Sequence, residues 1–380
     1  MASDQLQMLT AIDPARLTEI VRVALDNPSF QVGSWNVRHL SDLGGVNPEG
    51  LFLFEGDGHD EREPRQWSIV LKTIRANRPE PGPDHLFHWR REYMAMQSGM
   101  LLSMPGPLTA PRCFGLEAQP DGAWLWMEHI VDRTPRRWGT VEYAFAANQL
   151  GRTTGAWLAR RSMPDEPWLC RAHALVWAEM FPPNQEQWAN PFVRTAWPDS
   201  LRERVMALWT ARARLGAALA RLPQTFAHFD SQRRNLMIRP DPDGQDELVA
   251  VDWAWCGLGP VGADAAILLG NSLLLFEGDA STAPALDQAI FPAYLEGLRA
   301  ADWTGDADTV RLAYSASIAL FCAFAALTWT TSFVSSADPD WIKRQSGMDA
   351  ASCAQHYVDL AMFAVDQGDE ALRLMEAMGR

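Results

Sequence analysis

Thr225–Asp264, TFAHFDSQRRNLMIRPDPDGQDELVAVDWAWCGLGPVGAD, holds two short apolar runs around a dense cluster of turn formers. Leu236, Met237 and Ile238 form the first run, Pro240 to Gly244 the turn, and Leu248 to Val251 the second run. That pattern predicts a β-hairpin closed at its Pro/Asp/Gly end. The residues just outside the two strands, Asn235 and Asp252, are then expected to meet at the open end. Asp230 stands five positions before Asn235, and His228 two before that. An acid that accepts or orients a hydroxyl proton, together with hard oxygen ligands for magnesium, is the equipment of phosphoryl transfer. Asp230 is assigned the base role, and Asn235 and Asp252 are assigned to Mg2+. Singly, each residue also fits a turn or a helix cap. The ordered set at these spacings is what carries the reading.

The set resembles the signature of the aminoglycoside phosphotransferase and choline kinase family, small-molecule kinases with a protein-kinase-like fold. That signature runs H-G-D-x-x-x-x-N, D-W or D-F, then G-x-x-x-x-D. Here it reads His228-Phe229-Asp230, Asn235, Asp252-Trp253, and Gly259 with Asp264. Two positions depart from it: Phe229 replaces the usual glycine, and Pro260 stands where an aspartate commonly follows Gly259. Asp264, before the apolar run Ala265–Leu269, is read as a helix cap or a brace for the loop.

Composition narrows the class. With 380 residues and 47% hydrophobic content, the chain can bury two lobes. No run of about 18 uninterrupted apolar residues and no secretion-type N-terminus are seen, so a cytoplasmic protein without membrane contact is expected. A formal charge of −14 argues against nucleic acid as a partner. The five cysteines are scattered and form no metal or disulfide pattern.

Lysine usage is more informative. Lys72 and Lys343 are the only lysines among 33 basic residues. Lys72 lies within the β-rich run Trp67–Ile74, where a compact ammonium is retained although arginine serves nearly everywhere else. Before it come a helical preface to about Phe30 and a strand pair, Ser34–Leu43 and Leu51–Glu55. Their connection carries Gly44, Gly45 and Gly50, suited to covering nucleotide phosphates. After it, a helix is predicted over His85–Met100, with Glu92 its one acidic residue. Two more strands, Pro111–Glu117 and Ala123–Ile130, complete about five antiparallel strands. From Val141 the pattern is helical apart from the hairpin, with helices near Val141–Arg161, Leu201–Leu222, Asp264–Phe276, Pro284–Leu298, Asp308–Phe333 and Ala350–Met378. Met163–Pro198, rich in Trp and Pro, reads as an irregular insertion that could wall an acceptor pocket.

The resemblance implies an α+β, bilobal protein-kinase-like fold: an antiparallel β-sheet N-lobe (1–130) and a mainly helical C-lobe (131–380). It implies that Glu92 aims Lys72 at the phosphates of ATP, and that backbone groups of Glu128, His129 and Ile130 hold adenine. The acceptor is then a hydroxyl-bearing small molecule, either an aminoglycoside-like antibiotic or a metabolite such as an amino alcohol, sugar or nucleoside. A nucleotide-binding interaction module without catalysis is the alternative class.

Overall fold

Trp67, Ile69 and Leu71 alternate with Val70, Lys72 and Ile74 along strand β3 (Pro64–Arg75), so the two triplets face opposite sides of a sheet. The sheet is five-stranded and antiparallel, in the order β1-β2-β3-β6-β5. Its other members are β1 (Gln31–His39), β2 (Pro48–His59), β5 (Cys113–Gln119) and β6 (Gly122–Glu128). Trp67, Ile69 and Leu71 bury against Leu17, Ile20, Val21 and Ala24 of the helix Pro14–Leu25. That helix starts where the sequence indicates: the Asp13 carboxylate accepts from Ala15 N at 3.0 Å, and proline occupies the first turn.

The computed structural model describes residues 2–40, 48–60, 63–134, 137–160, 162–334, 340, 343 and 346–379. The chain divides into two units. The first holds Met1–Ser103, Thr109–Asp132 and Val251–Ala254, and the second the remainder. Three strands meet expectation closely, but the helix predicted over His85–Met100 is shorter, Arg91–Gln97. The cause is Arg91. Its buried guanidinium donates to the carbonyls of His85 (2.6 Å) and Leu86 (2.8 Å), which holds the preceding residues in turns.

In the second unit, the expected hairpin forms from β9 (Leu236–Pro240) and β10 (Asp246–Ala250), with Leu236 opposite Ala250 and Ile238 opposite Leu248. Asp241 organises its turn, accepting from the backbone of Asp243 and Gln245, and Gly244 takes φ +77°. The short strand β4 is Leu108–Thr109. A second small sheet, β7-β11-β8, was not expected. It consists of β7 (Cys170–Arg171), β8 (Gln224–Ala227) and β11 (Gly257–Pro260), each too short to show a period. Within the predicted insertion lie three short helices, His173–Glu179, Gln185–Ala189 and Pro191–Ala196. Trp168, Trp177, Trp188 and Trp197 are all buried there, so these rings are core.

Two long helices cross at glycine. A Cβ on Gly151 of Thr140–Leu158 would meet Tyr294 O at 2.2 Å, and one on Gly297 of Ala283–Ala300 would meet Asn148 O at 2.2 Å. That close approach sets Tyr294 so that its hydroxyl accepts from Gly262 N at 2.9 Å, at the start of the helix Ala263–Leu274. Every residue of this last helix is buried. The helix Ala307–Trp329 is long and apolar enough to cross a membrane by composition, yet 94% of its apolar window is buried within the protein. Serines such as Ser315 and Ser317 interrupt its apolar run.

Candidate active site

Lys72, in mid-strand, is paired across the sheet with Leu51 and Leu125. Its ammonium lies 2.5 Å from Glu92 Oε2 and 2.8 Å from Asp252 Oδ1, all three within the first unit. Burial works against the charge, but the Asp252 and Glu92 carboxylates more than offset it and hold the Lys72 pKa above its ordinary value. Burial and the neighbouring Asp252 carboxylate raise Glu92 in turn, against the pull of Lys72.

Three consecutive residues after the hairpin are gripped in this unit. Lys72 holds the Asp252 carboxylate, Glu92 Oε1 accepts from Trp253 N at 3.3 Å, and Arg91 Nη1 donates to Ala254 O at 2.8 Å. Asp252 itself takes φ +62°, a conformation that costs a non-glycine residue about 1–3 kcal/mol and persists only where the surroundings enforce it.

Of the residues expected to hold adenine, Glu128 has its N–H committed to Arg112 O (2.9 Å) and its carboxylate to Arg112 N (3.1 Å). His129 Nδ1 lies 3.1 Å from Ser68 Oγ, and burial together with Arg38 lowers its pKa. Ile130 is buried. Gly44 and Gly45 lie outside the described residues, while the carbonyl of Gly50 accepts from Thr73 Oγ1 at 3.3 Å.

The second unit carries the loop of Asp230. Three amides converge on that carboxylate: Asn271 Nδ2 on Oδ1 at 2.5 Å, Gln232 Nε2 on Oδ1 at 3.1 Å, and Asn235 Nδ2 on Oδ2 at 2.7 Å. Asn235 Nδ2 also donates to Asp230 O at 3.0 Å. His228 Nδ1 accepts from Asp230 N at 3.1 Å. Asp264 takes the bracing role rather than a simple cap, receiving His228 N at 2.9 Å and Phe229 N at 2.8 Å. Burial pushes the Asp264 pKa up to about 6 against those two donors.

Phe229 explains its own departure from the signature. Its φ is +60°, the region that favours glycine, so the loop keeps the backbone shape that the usual residue would adopt. The ring stacks on His173, with centroids 4.7 Å apart and planes 5° from parallel. A Cβ at Gly259 would meet the tip of the ring, Cζ, at 2.4 Å. A side chain at 229 is thus accommodated by the absence of one at 259.

The APH model, described as the phosphotransferase enzyme family, matches residues 64–303, more than half of the chain. The chain belongs to the phosphotransferase enzyme family. No curated protein matches it. Solved structures do. One is the amicoumacin kinase hAmiN in complex with AMP-PNP, Ca2+ and Ami, at 16% identity and a TM-score of 0.50, covering 92% of this chain and 95% of that one. Another is the microcompartment-associated aminopropanol kinase, at 14% identity and a TM-score of 0.50, covering 93% and 99%. The fold is the protein-kinase-like one of small-molecule kinases, with an antiparallel N-terminal sheet and a helical C-terminal part.

Among the described residues of this phosphotransferase, no group of three or more His, Cys, Asp or Glu could hold a metal ion. The donor chemistry suits a cation that arrives with phosphate oxygens, since Mg2+ is commonly held by one or two protein oxygens plus the substrate. Asn235 fits this: its amide nitrogen is occupied by Asp230, which leaves the carbonyl end for a cation. The Asp252 carboxylate, within the first unit, is about one-third exposed. Gln232 and Asn271 were missed in the sequence. For Asn271 a signal existed, because an amide inside the apolar run Ala265–Leu275 requires a partner once buried.

Proposed function

We propose that this small-molecule kinase moves the γ-phosphate of ATP to a hydroxyl of an aminoglycoside-like compound or a related hydroxylated amine. The observation that carries the proposal is the Lys72 ammonium buried between Glu92 and Asp252, an arrangement that gives a fixed positive charge for the α- and β-phosphates. In this reading residues 1–130 form the nucleotide-binding lobe and residues 131–380 the lobe of catalysis and acceptor binding. Gly44 and Gly45 are assigned to the phosphates, and the Glu128–Ile130 backbone to adenine, through groups other than the Glu128 N–H. Asn235 and Asp252 would hold Mg2+, which when bound supplies charge neutralisation on the phosphate oxygens. Asp230 orients the acceptor hydroxyl and receives its proton, its carboxylate already fixed by three amides.

The acceptor preference rests on charge. A chain of formal charge −14 favours a cationic partner. Amines also figure among the relatives of this fold, one of which is an aminopropanol kinase. Neither nucleic acid nor membrane is part of the proposal, and a cytoplasmic location is. The test is ADP release from Mg·ATP across a panel of aminoglycosides, amino alcohols, sugars and nucleosides. At least one amine-bearing member should raise the rate above the water background and yield a phosphate ester by mass spectrometry. A panel that yields no ester, with ATP bound throughout, would instead favour a nucleotide-binding interaction module.

A further inference from the structure

We infer that Asn271, on the buried helix Ala263–Leu274, is a positioning residue for Asp230. The inference rests on the assignment of Asp230 as the proton acceptor and adds the group that holds it. Asp264 and Asn271 are seven residues apart, two turns of helix, and so lie on one face. From that face Asp264 receives the backbone of His228 and Phe229, while Asn271 Nδ2 reaches the Asp230 side chain itself at 2.5 Å. Two further bonds join the same helix to the loop. Ser231 Oγ donates to Asp264 O at 2.6 Å, and Arg233 N donates to Ser272 Oγ at 3.4 Å.

The other two amides on Asp230 cannot replace this one. Gln232 and Asn235 both belong to the same loop as Asp230, so they move with it. Asn271 is 4% exposed on a helix whose every residue is buried, and it alone of the three ties the carboxylate to the fixed part of the fold. An amide there also donates without adding charge, whereas a carboxylate at the same distance would compete with Asp230 for one proton.

The experiment compares wild type with Asn271→Ala, Asn271→Ser and Asp230→Asn. Hydrolysis of Mg·ATP by water is followed as ADP release, with ATP affinity and unfolding midpoint measured on each. Asn271→Ala and Asn271→Ser should lower kcat by about 10- to 100-fold, the range set by a misplacement of about 1 Å, with the KM for ATP changed less than about twofold, a split that a purely structural defect does not produce. Folded Ala or Ser variants with wild-type kcat would overturn the inference. If Asp230→Asn itself hydrolyses ATP like wild type, the role of Asp230 fails first, and the two failures are thereby told apart.

Discussion

Replacing Phe229 separates backbone strain from packing. The ring is 1% exposed, so Phe229→Ala should destabilise the protein by about 3–5 kcal/mol, the usual range for a buried aromatic. The ring also borders a pocket of about 320 Å³ shared with His173, Leu219, Leu258 and Ile267. Alanine at φ +60° keeps the left-handed strain, worth roughly 1–2 kcal/mol, which glycine removes. Against that, glycine loses more backbone freedom on folding, about 0.5–1 kcal/mol. Phe229→Gly should therefore be more stable than Phe229→Ala by up to about 1.5 kcal/mol. Gly259→Ala completes a cycle. Its Cβ would meet the Phe229 ring at 2.4 Å, an overpacking of about 1–3 kcal/mol that should vanish in the Phe229→Gly background. Urea titrations with matched slopes give the stabilities of wild type, the three single variants and the Phe229→Gly/Gly259→Ala double variant. A Phe229→Ala variant at least as stable as Phe229→Gly would refute the strain argument, and strict additivity with Gly259→Ala would refute the packing of the ring.

Two further outcomes follow from buried charge. Arg91→Met removes the donor to the carbonyls of His85, Leu86 and Ala254 and should cost about 3 kcal/mol or more, read from the urea midpoint; a change under about 0.5 kcal/mol would contradict the clamp. Burial pushes Glu277 up to about 7, against the pull of Arg234 at 2.7 Å, from an ordinary value of 4.5. Because the folded state then holds the proton more tightly than the unfolded state, the group's penalty is absent below pH 4.5 and complete above pH 7. Relative to Glu277→Gln, wild type should lose about 3 kcal/mol of stability as the pH rises through that window, and parallel curves for the two proteins would contradict the shift.

What could be read from the residues was whatever depends on near neighbours or on a choice among few candidates. The hairpin follows from its turn chemistry, and the observed register keeps Leu236 opposite Ala250. Glu92 was found as the only acidic residue of its segment, and it lies 2.5 Å from Lys72. What could not be read depends on partners far along the chain. Arg91 shortens its helix by binding carbonyls before it and one at Ala254, and no local propensity signals that. Asn271 is 41 residues from Asp230, so only the folded path of the buried helix brings the two together. The left-handed Phe229 breaks the local rule that favours glycine, and it is tolerated only because His173 and Gly259 border the ring.

The division of labour between Asp230 and Asp252 is tested most directly by titrating Mg2+-dependent ATP binding and turnover in Asp230→Asn and Asp252→Asn side by side. Asp230→Asn should lose turnover by about 10²- to 10⁴-fold while its Mg·ATP affinity stays within about twofold of wild type. Asp252→Asn should weaken Mg2+-dependent ATP binding by roughly tenfold or more. Wild-type turnover in Asp230→Asn, or unchanged Mg2+ dependence in Asp252→Asn, would contradict that division.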